Sequence, residues 1–401
     1  MAKRTYTESS LIETPSALQA LVEAVKEADV VGIDTEFQRE GRLAPELCLL
    51  QLAVPDQPFV AVDPYADLDL GPLFEALAEC EVVLHDARQD LEVIAYLGAP
   101  VPERVFDTQI AAGFLQCTDG RPGYARTVNS FLNVEVSRDQ SMSDWSRRPL
   151  KASQIRYALE DVEYLLPLYR TLMDRLEARG RLEWAREASA KLRSDAIKAA
   201  APTEAWTRVG GAKSLRGRKL SILAALARWR EALSVSRSTL PKRVMSDSIM
   251  VALAKAAPVT EERLEDIRIV RRWVKDGHGP ALLEAIQSGA RADPKTWPVW
   301  PGESGLPGDP RLGAIALILD GCLKGLCRGE EISPWLVGTR ADVELLARHW
   351  LAHRTRGGGG ALSEGWRGEA FGGALTALLS GDAALVIDFD TPAGVEIITA
   401  D

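Results

Sequence analysis

The sequence predicts a mixed α/β domain over residues 1–200, followed by two all-helical domains over residues 212–291 and 311–401. In the first segment, short apolar runs alternate with amphipathic runs, whereas apolar residues recur at helical spacing in the other two. Breaks at 201–211 and at the Pro-, Gly- and Trp-rich stretch 291–310 separate the three segments. A chain of 401 residues is also too long for one small core.

Strands come first in the predicted α/β domain and helices dominate afterwards, an order that favours a mixed sheet covered by helices. The predicted strands are VVGIDTEF (30–37), LCLLQLAV (47–54), FVAVDP (59–64) and VVLHD (82–86). The predicted helices are PLFEALAEC (72–80), ARQDLEVIAYLG (87–98), TQIAAGFLQ (108–116) and the long run from 153 to 180. Asp107 directly precedes the third of these helices and is predicted to be its N-cap.

The two C-terminal segments have similar lengths and helical patterns. The second segment contains predicted helices in 219–235, 241–258 and 260–277. The third is helical from 311 to about 380, apart from the Gly-rich interruption at 354–360. Residues 384–398 are predicted to form a short hairpin or a tail.

Bulk properties limit the location and the partners of the chain. No apolar run reaches the roughly 18 residues of a membrane helix, and the first residues lack an apolar signal-type stretch, so a cytoplasmic protein without membrane contact is expected. The five cysteines are scattered and are predicted to be free thiols. The net charge of −9 weighs against nucleic acid. However, residues 208–243 contain ten basic side chains and one acidic one, which form either a solvated face or a phosphate-contacting patch.

Five polar residues in the first domain form the candidate site: Asp34, Glu36, Asp90, Tyr157 and Asp161. The first two are two apart on a predicted strand and share a face. The last two are four apart on a predicted helix and also share a face. Asp90 falls in the first turns of the helix after VVLHD, where α/β folds build sites. Taken separately, each of these motifs is more often a helix cap, a surface residue or a core residue. Their occurrence together, in this order along the chain, indicates one site.

Four neighbouring carboxylates would repel one another unless cations neutralise them. Oxygen ligands favour Mg²⁺ or Mn²⁺ over softer metals. Two such ions about 4 Å apart can activate a water and stabilise the leaving oxygen of a phosphodiester, while a tyrosine hydroxyl holds that water in line. The pattern therefore predicts phosphodiester hydrolysis with two divalent ions.

The order DxE, then Asp90 in HDARQDLEVI, then YALEDV resembles the tyrosine-containing branch of the DEDD exonucleases. Within that branch, FDTQIAAGF (106–114) and the segment 141–169 are similar to the ribonuclease D family. Residues 212–291 resemble an HRDC domain, and parts of 331–381 resemble the second HRDC-like domain of that family. The resemblance implies an α/β exonuclease domain with a ribonuclease-H-like mixed sheet and flanking helices, followed by two all-α HRDC-like domains.

The resemblance also implies an activity: a 3′–5′ exoribonuclease that trims 3′ trailers of tRNA precursors and releases nucleoside 5′-monophosphates. Asp34, Glu36, Asp90 and Asp161 would hold two metal ions, Mg²⁺ or Mn²⁺, and Tyr157 would position the water. No nucleotide cofactor is expected, because a GxxxxGK[ST] phosphate loop is missing from the sequence. The chain is expected to be a monomer.

Further residues are candidate substrate contacts. Phe37 could stack on the terminal base, which would tolerate any base. His85 is either a loop-orienting residue or a contact beside the site. Residues 144–148 are predicted to brace the helix that carries Tyr157. The candidate RNA contacts within the basic stretch are Arg218, Lys219, Lys242 and Arg243.

Two alternatives remain at this point. A 3′–5′ DNA exonuclease would use the same five site residues, and the choice depends on a contact to the 2′-hydroxyl. A non-catalytic nucleic-acid-binding protein is the other alternative, since HRDC modules also occur in helicases.

Overall fold

The computed structural model describes residues 10–39, 44–136, 143–200, 202–237, 239–300, 309–355 and 358–399. The chain forms two compact units. The first consists of Met1–Glu36, Leu47–Ser194 and Gly305–Asp401, and the second of Phe37–Glu46 and Asp195–Ser304. The C-terminal helical segment thus belongs to the same unit as the α/β segment. The domain boundaries drawn from the sequence stay a prediction.

A mixed sheet lies in the first unit, as the sequence predicted, and among the described residues it has six strands in the order β1-β4-β3-β2-β5-β6. Strands β2, β5 and β6 run parallel, as do β1 and β4, whereas β3 is antiparallel to β4. The short strands β1 and β6 are additions to the four that were predicted. The strands are β1 Leu11–Ile12, β2 Val30–Gln38, β3 Glu46–Ala53, β4 Val60–Val62, β5 Glu81–Leu84 and β6 Arg104–Asp107.

The predicted helices of the α/β segment are present, one of them in divided form, and the helices Pro15–Lys26 and Tyr124–Leu132 were not predicted. The predicted long helix from 153 to 180 is divided at Tyr164, whose φ of −102° and ψ of 1° are not helical. Pro167 lies in the first turn of the helix that follows, where its missing N–H is tolerated. The helices are α1 Pro15–Lys26, α2 Gly71–Glu79, α3 Arg88–Tyr96, α4 Thr108–Gly113, α5 Tyr124–Leu132, α6 Ala152–Glu163, α7 Leu165–Ala178 and α8 Leu182–Ala200.

The second unit is helical, as predicted for residues 212–291. Its two longest helices, α9 and α14, pack so closely that a Cβ at Gly289 would lie 2.5 Å from the Cα of Ile222. Ser221 Oγ donates a hydrogen bond of 2.8 Å to the Gly289 carbonyl at this crossing. The helices are α9 Gly217–Ser236, α10 Pro241–Val244, α11 Asp247–Ala256, α12 Glu261–Glu265, α13 Arg271–Trp273 and α14 Gly279–Arg291.

The C-terminal segment contains further helices and the predicted hairpin. These elements are α15 Leu312–Gly329, α16 Pro334–Val337, α17 Arg340–His353, α18 Gly365–Arg367, α19 Gly373–Ser380, β7 Ala383–Ile387 and β8 Val395–Thr399. Strands β7 and β8 pair antiparallel. Within the described ranges, none of the helices is long and apolar enough to cross a membrane. The five cysteines are free thiols, as predicted.

One apolar core joins the α/β segment to the C-terminal segment. The ring of Trp366 lies 4.9 Å from that of Phe114 and stacks on Trp184 at 5.3 Å. The Ser333 N–H donates to the Gly113 carbonyl at 2.8 Å, so backbone polar groups are also satisfied across this contact. Removing the C-terminal segment would therefore expose the apolar surface of α4 and α8.

Candidate active site

Three carboxylates meet at the face of β2. Asp34 and Glu36 project from this strand to the same side, and Asp161 approaches from α6. One carboxylate oxygen from each of the three lies within 4.8 Å of the others. All three side chains are partly buried, so the cluster combines like charges in a place with little water.

Asp90 lies next to this cluster but outside the three-residue group. It is buried in the first turn of α3, and Thr35 Oγ1 donates a hydrogen bond of 2.5 Å to its Oδ1. Because Thr35 lies between Asp34 and Glu36 on β2, this bond ties Asp90 to the strand that carries the first two carboxylates. The charge of Asp90 is close enough to raise the pKa of Asp34. The structure therefore brings together all four predicted carboxylates.

Tyr157 completes the predicted set. Its hydroxyl donates a hydrogen bond to the carboxylate of Asp161, one turn away on α6. Burial, followed by the negative charge of Asp161, raises the pKa of Tyr157 well above its ordinary value. The hydroxyl thus keeps its proton and is held in a fixed direction.

Burial raises the pKa of every carboxyl in the site, and the neighbouring charges add to it. The pKa of Asp34 is well above its ordinary value because of burial, then Asp90, Asp161 and Glu36. The pKa of Glu36 rises to about 8 through burial and the charges of Asp161 and Asp90. Burial raises the pKa of Asp90 and that of Asp161 to about 7 each, although hydrogen bonds from Thr35 and Tyr157 oppose the rise. Without a cation, these carboxylates are poorly tolerated near neutral pH.

The donor atoms of the cluster fit a hard divalent cation. They are carboxylate oxygens, the ligand type that Mg²⁺ and Mn²⁺ prefer. A cation bound here would also relieve the repulsion that raises the pKa values. Asp34, Glu36 and Asp161 have the spacing to share one ion, and Asp90 is placed beside them.

A buried carboxylate positions the helix that carries Asp90. Asp107 caps α4 by accepting from Gln109 N at 2.7 Å and Ile110 N at 3.1 Å, which confirms the predicted N-cap. Its other oxygen accepts from Ala87 N at 2.8 Å. This bond fixes the turn that leads into α3 and Asp90.

Arg148 fixes the segment that leads into α6. It forms a two-pronged ion pair with the buried Asp63, with contacts of 2.5 and 2.6 Å. It also donates to the carbonyls of Cys48 at 2.7 Å and Trp145 at 2.8 Å. The predicted brace is therefore present in residues 144–148. The partner Asp63 was not foreseen, because the pair is 85 positions apart in the sequence and no local pattern reveals it.

Both ring nitrogens of His85 lie close to polar protein atoms, while its candidate role as a substrate contact stays a prediction. Its Nε2 lies 3.1 Å from the Pro122 carbonyl and its Nδ1 lies 2.9 Å from Thr108 Oγ1. Burial lowers the pKa of His85 to about 4, so the ring is neutral. In the neutral ring Nε2 donates to the Pro122 carbonyl, while the single hydroxyl proton of Thr108 is shared between Nδ1 and the Leu84 carbonyl, which lies 2.9 Å from Thr108 Oγ1. Both ring nitrogens thus have protein neighbours, an arrangement that favours the loop-orienting alternative.

The other candidate substrate contacts lie in the second unit. Phe37 is half-buried at the end of β2, and Arg218, Lys219, Lys242 and Arg243 lie in the basic stretch, at least partly accessible to solvent. Lys242 Nζ lies 3.4 Å from Asp247. Two other basic side chains of the stretch form ion pairs at 2.7 Å, Arg208 with Glu231 and Arg230 with Asp247. Fewer basic side chains of this stretch are thus available for phosphate binding than its composition indicates.

The comparisons with known proteins agree with this geometry. A 3′–5′ exonuclease family model matches residues 10–177, and an HRDC domain model matches residues 219–286. The chain is 32% identical to ribonuclease D of Bartonella henselae over 92% of this chain and 90% of that protein. It is 35% identical to ribonuclease D of Gluconacetobacter diazotrophicus over 96% of this chain and 97% of that protein. The chain belongs to the ribonuclease D family.

A solved structure extends the likeness of this ribonuclease D family member to the whole fold. The crystal structure of Escherichia coli RNase D matches with a TM-score of 0.73 and 28% identity, covering 94% of this chain and 99% of that one. This likeness confirms the predicted fold class, an α/β exonuclease domain followed by helical regions. As a member of the family, the protein is a 3′–5′ exoribonuclease, a hydrolase of phosphodiester bonds.

Proposed function

We propose that this exoribonuclease trims the 3′ trailers of tRNA precursors and other small RNAs, releasing nucleoside 5′-monophosphates one at a time. The observation that carries the proposal is the cluster in which oxygens of Asp34, Glu36 and Asp161 lie within 4.8 Å of one another. Asp90 beside the cluster and Tyr157 bound to Asp161 complete a set suited to phosphodiester hydrolysis.

Asp34, Glu36, Asp90 and Asp161 are proposed to hold two divalent ions, Mg²⁺ or Mn²⁺. When bound, such ions lower the pKa of a water and stabilise the charge of the leaving oxygen. The protein contributes the spacing of the carboxylates. Thr35 contributes the orientation of Asp90, because its hydroxyl is bonded to the Asp90 oxygen at 2.5 Å.

Tyr157 is proposed to position the attacking water. Its raised pKa keeps the hydroxyl protonated at neutral pH. The hydrogen bond to Asp161 sets the orientation of its oxygen, which can accept from a water on the side away from Asp161. Trp145, whose ring centroid is 6.3 Å from that of Tyr157, limits the movement of the ring. Holding a nucleophile in line is a large part of such catalysis.

RNA is the proposed partner of the second unit as well. Arg218, Lys219, Lys242 and Arg243 belong to its basic stretch, and solvent-accessible cations are the groups that bind phosphates. Phe37, which follows Glu36 in the chain, is proposed to stack on the terminal base. The E. coli RNase D whose fold matches this one is an exoribonuclease involved in structured RNA processing, which supports a structured RNA as substrate here.

The test uses a tRNA with a short 3′ trailer, labelled at its 5′ end, and a DNA strand of the trailer sequence. Each is incubated with the full chain and Mg²⁺ or Mn²⁺, with EDTA and Asp161→Asn as controls. We expect a ladder that shortens from the RNA 3′ end, requires the metal and is lost in the variant. Faster trimming of the DNA would instead support a DNA exonuclease, and binding without trimming would support a non-catalytic protein.

Monomeric state and cytoplasmic location stay predictions of the sequence. Light scattering of the purified chain tests the first, since a mass near twice 43.7 kDa would show a dimer.

A further inference from the structure

Gln51 is a buried amide whose hydrogen-bonding groups are unused. It lies on β3 and is 0% exposed. Within the part of the chain that the structure describes, neither its Nε2 nor its Oε1 has a hydrogen-bond partner. Leaving a buried polar group unsatisfied is costly, so a side chain of this kind needs an explanation.

The strand pairing places Gln51 next to Asp34. Strands β2 and β3 are neighbours in the sheet, and the few residues between them allow only an antiparallel hairpin. A Cβ at Gly32 would meet the Cβ of Ala53 at 3.3 Å, so these two residues lie opposite each other on one face. Asp34 is two positions after Gly32 on β2, and Gln51 is two positions before Ala53 on β3, so in the antiparallel pair Asp34 lies opposite Gln51 on that same face. Opposed Cβ atoms in such a pair are about 5 Å apart.

The neighbours on the other side of Gln51 agree with this placement. Its partner on β4 is Ala61. Ala61 packs in one apolar cluster with Ala158 of α6, and Tyr157 packs against the same cluster. Gln51 thus lies beneath the helix that carries Tyr157 and Asp161, between the small Ala61 and the carboxylate of Asp34.

We propose that Gln51 is a positioning residue for the metal site and that its Nε2–H donates to one carboxylate oxygen of Asp34 when a divalent ion is bound. The other oxygen of Asp34 is then directed at the ion. The buried amide thereby gains a partner that no described residue supplies in the folded chain alone. This inference rests on the proposed function, because it needs the carboxylates to bind a metal.

A glutamine with a purely structural role would be hydrogen-bonded to the protein, as Gln109 is. Gln109 is also buried, but its Nε2 donates to the Pro122 carbonyl at 3.0 Å. The two glutamines differ in whether the folded protein supplies a partner. This difference makes them a matched pair for an experiment.

The experiment titrates Mn²⁺ into the full chain without RNA, by calorimetry, for wild type, Gln51→Leu, Gln51→Met and Gln109→Leu. Groups that orient metal ligands typically contribute about 10–100-fold in metal affinity. We expect Gln51→Leu to bind Mn²⁺ weaker by this factor, with a metal-free Tm equal to or above that of wild type. Gln109→Leu should show the reverse, a lower Tm and unchanged Mn²⁺ affinity.

Gln51→Met keeps the approximate size and the unbranched shape of the side chain but has no N–H to donate, and it should also weaken Mn²⁺ binding. Wild-type affinity in Gln51→Leu or in Gln51→Met would overturn the donor role. A merely structural role would lower the metal-free Tm of Gln51→Leu and leave its Mn²⁺ affinity unchanged. If wild type trims RNA but the Gln51 variants bind Mn²⁺ normally, only this inference fails. If wild type neither binds Mn²⁺ nor trims RNA, the proposed function fails first.

Discussion

Buried charges occur in both units of the molecule, and the two cases differ in their partners. In the second unit, Arg230 is buried and its guanidinium binds Asp247 at 2.7 Å and the Met245 carbonyl at 3.0 Å. In the first unit, Asp34, Glu36 and Asp161 place like charges within 4.8 Å. A buried charge with an opposite partner is tolerated by the fold, whereas buried like charges indicate a place for a cation. The contacts of Arg230 therefore form a structural network, whereas the three carboxylates form a candidate metal site.

The comparison predicts opposite effects of removing one charge. Asp161→Asn should reduce RNA trimming by roughly 1,000-fold or more, since loss of a single group that stabilises transition-state charge already costs about 100–1,000-fold. It should also raise the metal-free Tm, because one of the repelling charges is removed. Asp174→Asn, exposed on α7, is the control and should change neither quantity. Retention of most of the rate by Asp161→Asn would refute the metal assignment.

Tyr157→Phe should slow trimming by about 100-fold, the typical effect of misplacing a reacting group. Metal affinity should change little, because the tyrosine is not proposed to be a ligand. Tyr169→Phe is a matched control, since its hydroxyl also donates to a carboxylate, that of Glu81 at 2.6 Å, but away from the site. An equal loss of rate in both variants would show that the effect is a general one on folding.

Asp247→Asn should destabilise the second unit by about 3 kcal/mol, because it leaves the Arg230 guanidinium buried without its counter-charge. Urea denaturation gives this value. Asp276→Asn removes an exposed partner of Arg272 at 3.6 Å and should cost well under about 1 kcal/mol. If Asp247→Asn were as mild as Asp276→Asn, the contrast between the two units would lose its energetic basis.

The stability of the metal-free protein should decrease as the pH rises through the folded pKa values of the site. The folded pKa is about 7 for Asp90 and Asp161 and about 8 for Glu36, all above their ordinary values. A raised folded pKa means that the native state binds protons more tightly than the unfolded chain. Its stabilising contribution is therefore complete at low pH, below the unfolded pKa values, and is lost as the pH passes through the folded ones. Thermal melts with EDTA and with Mg²⁺ should show that the Tm gain from Mg²⁺ grows over this range. A gain independent of pH would contradict this.

The smallest expected effect concerns the accessible basic residues. Replacing Lys242 and Arg243 by Gln should flatten the slope of log affinity for RNA against log salt, by roughly 0.7 for each phosphate that is no longer bound. Replacing Lys255 and Arg263, basic residues of the same unit outside the 208–243 stretch, is the control. An unchanged slope would exclude Lys242 and Arg243 as phosphate contacts.

The residues of the site could be predicted from the sequence better than the contacts that hold those residues in place. Asp34 with Glu36, and Tyr157 with Asp161, have spacings that fix a shared face once the element type is known, so their meeting could be foreseen. The ion pair of Arg148 with Asp63 depends on contacts between distant segments, which no local pattern encodes. The hydrogen bonds that hold His85 depend on such contacts as well. For the same reason, the sequence could place the C-terminal helices in the chain but could not assign them to the first unit.

The core shared by α4, α8 and the C-terminal helices has a consequence for synthesis. Its buried residues run from the α/β segment to Leu375, whereas the core of the second unit ends at Ile286. On the ribosome, the second unit can complete its core while the first still lacks its last helices. The core of the nuclease module is therefore completed only after the second unit has been synthesised. A truncated nascent chain would expose the apolar surface around Phe114 and Trp184, where chaperones and proteases can act on it.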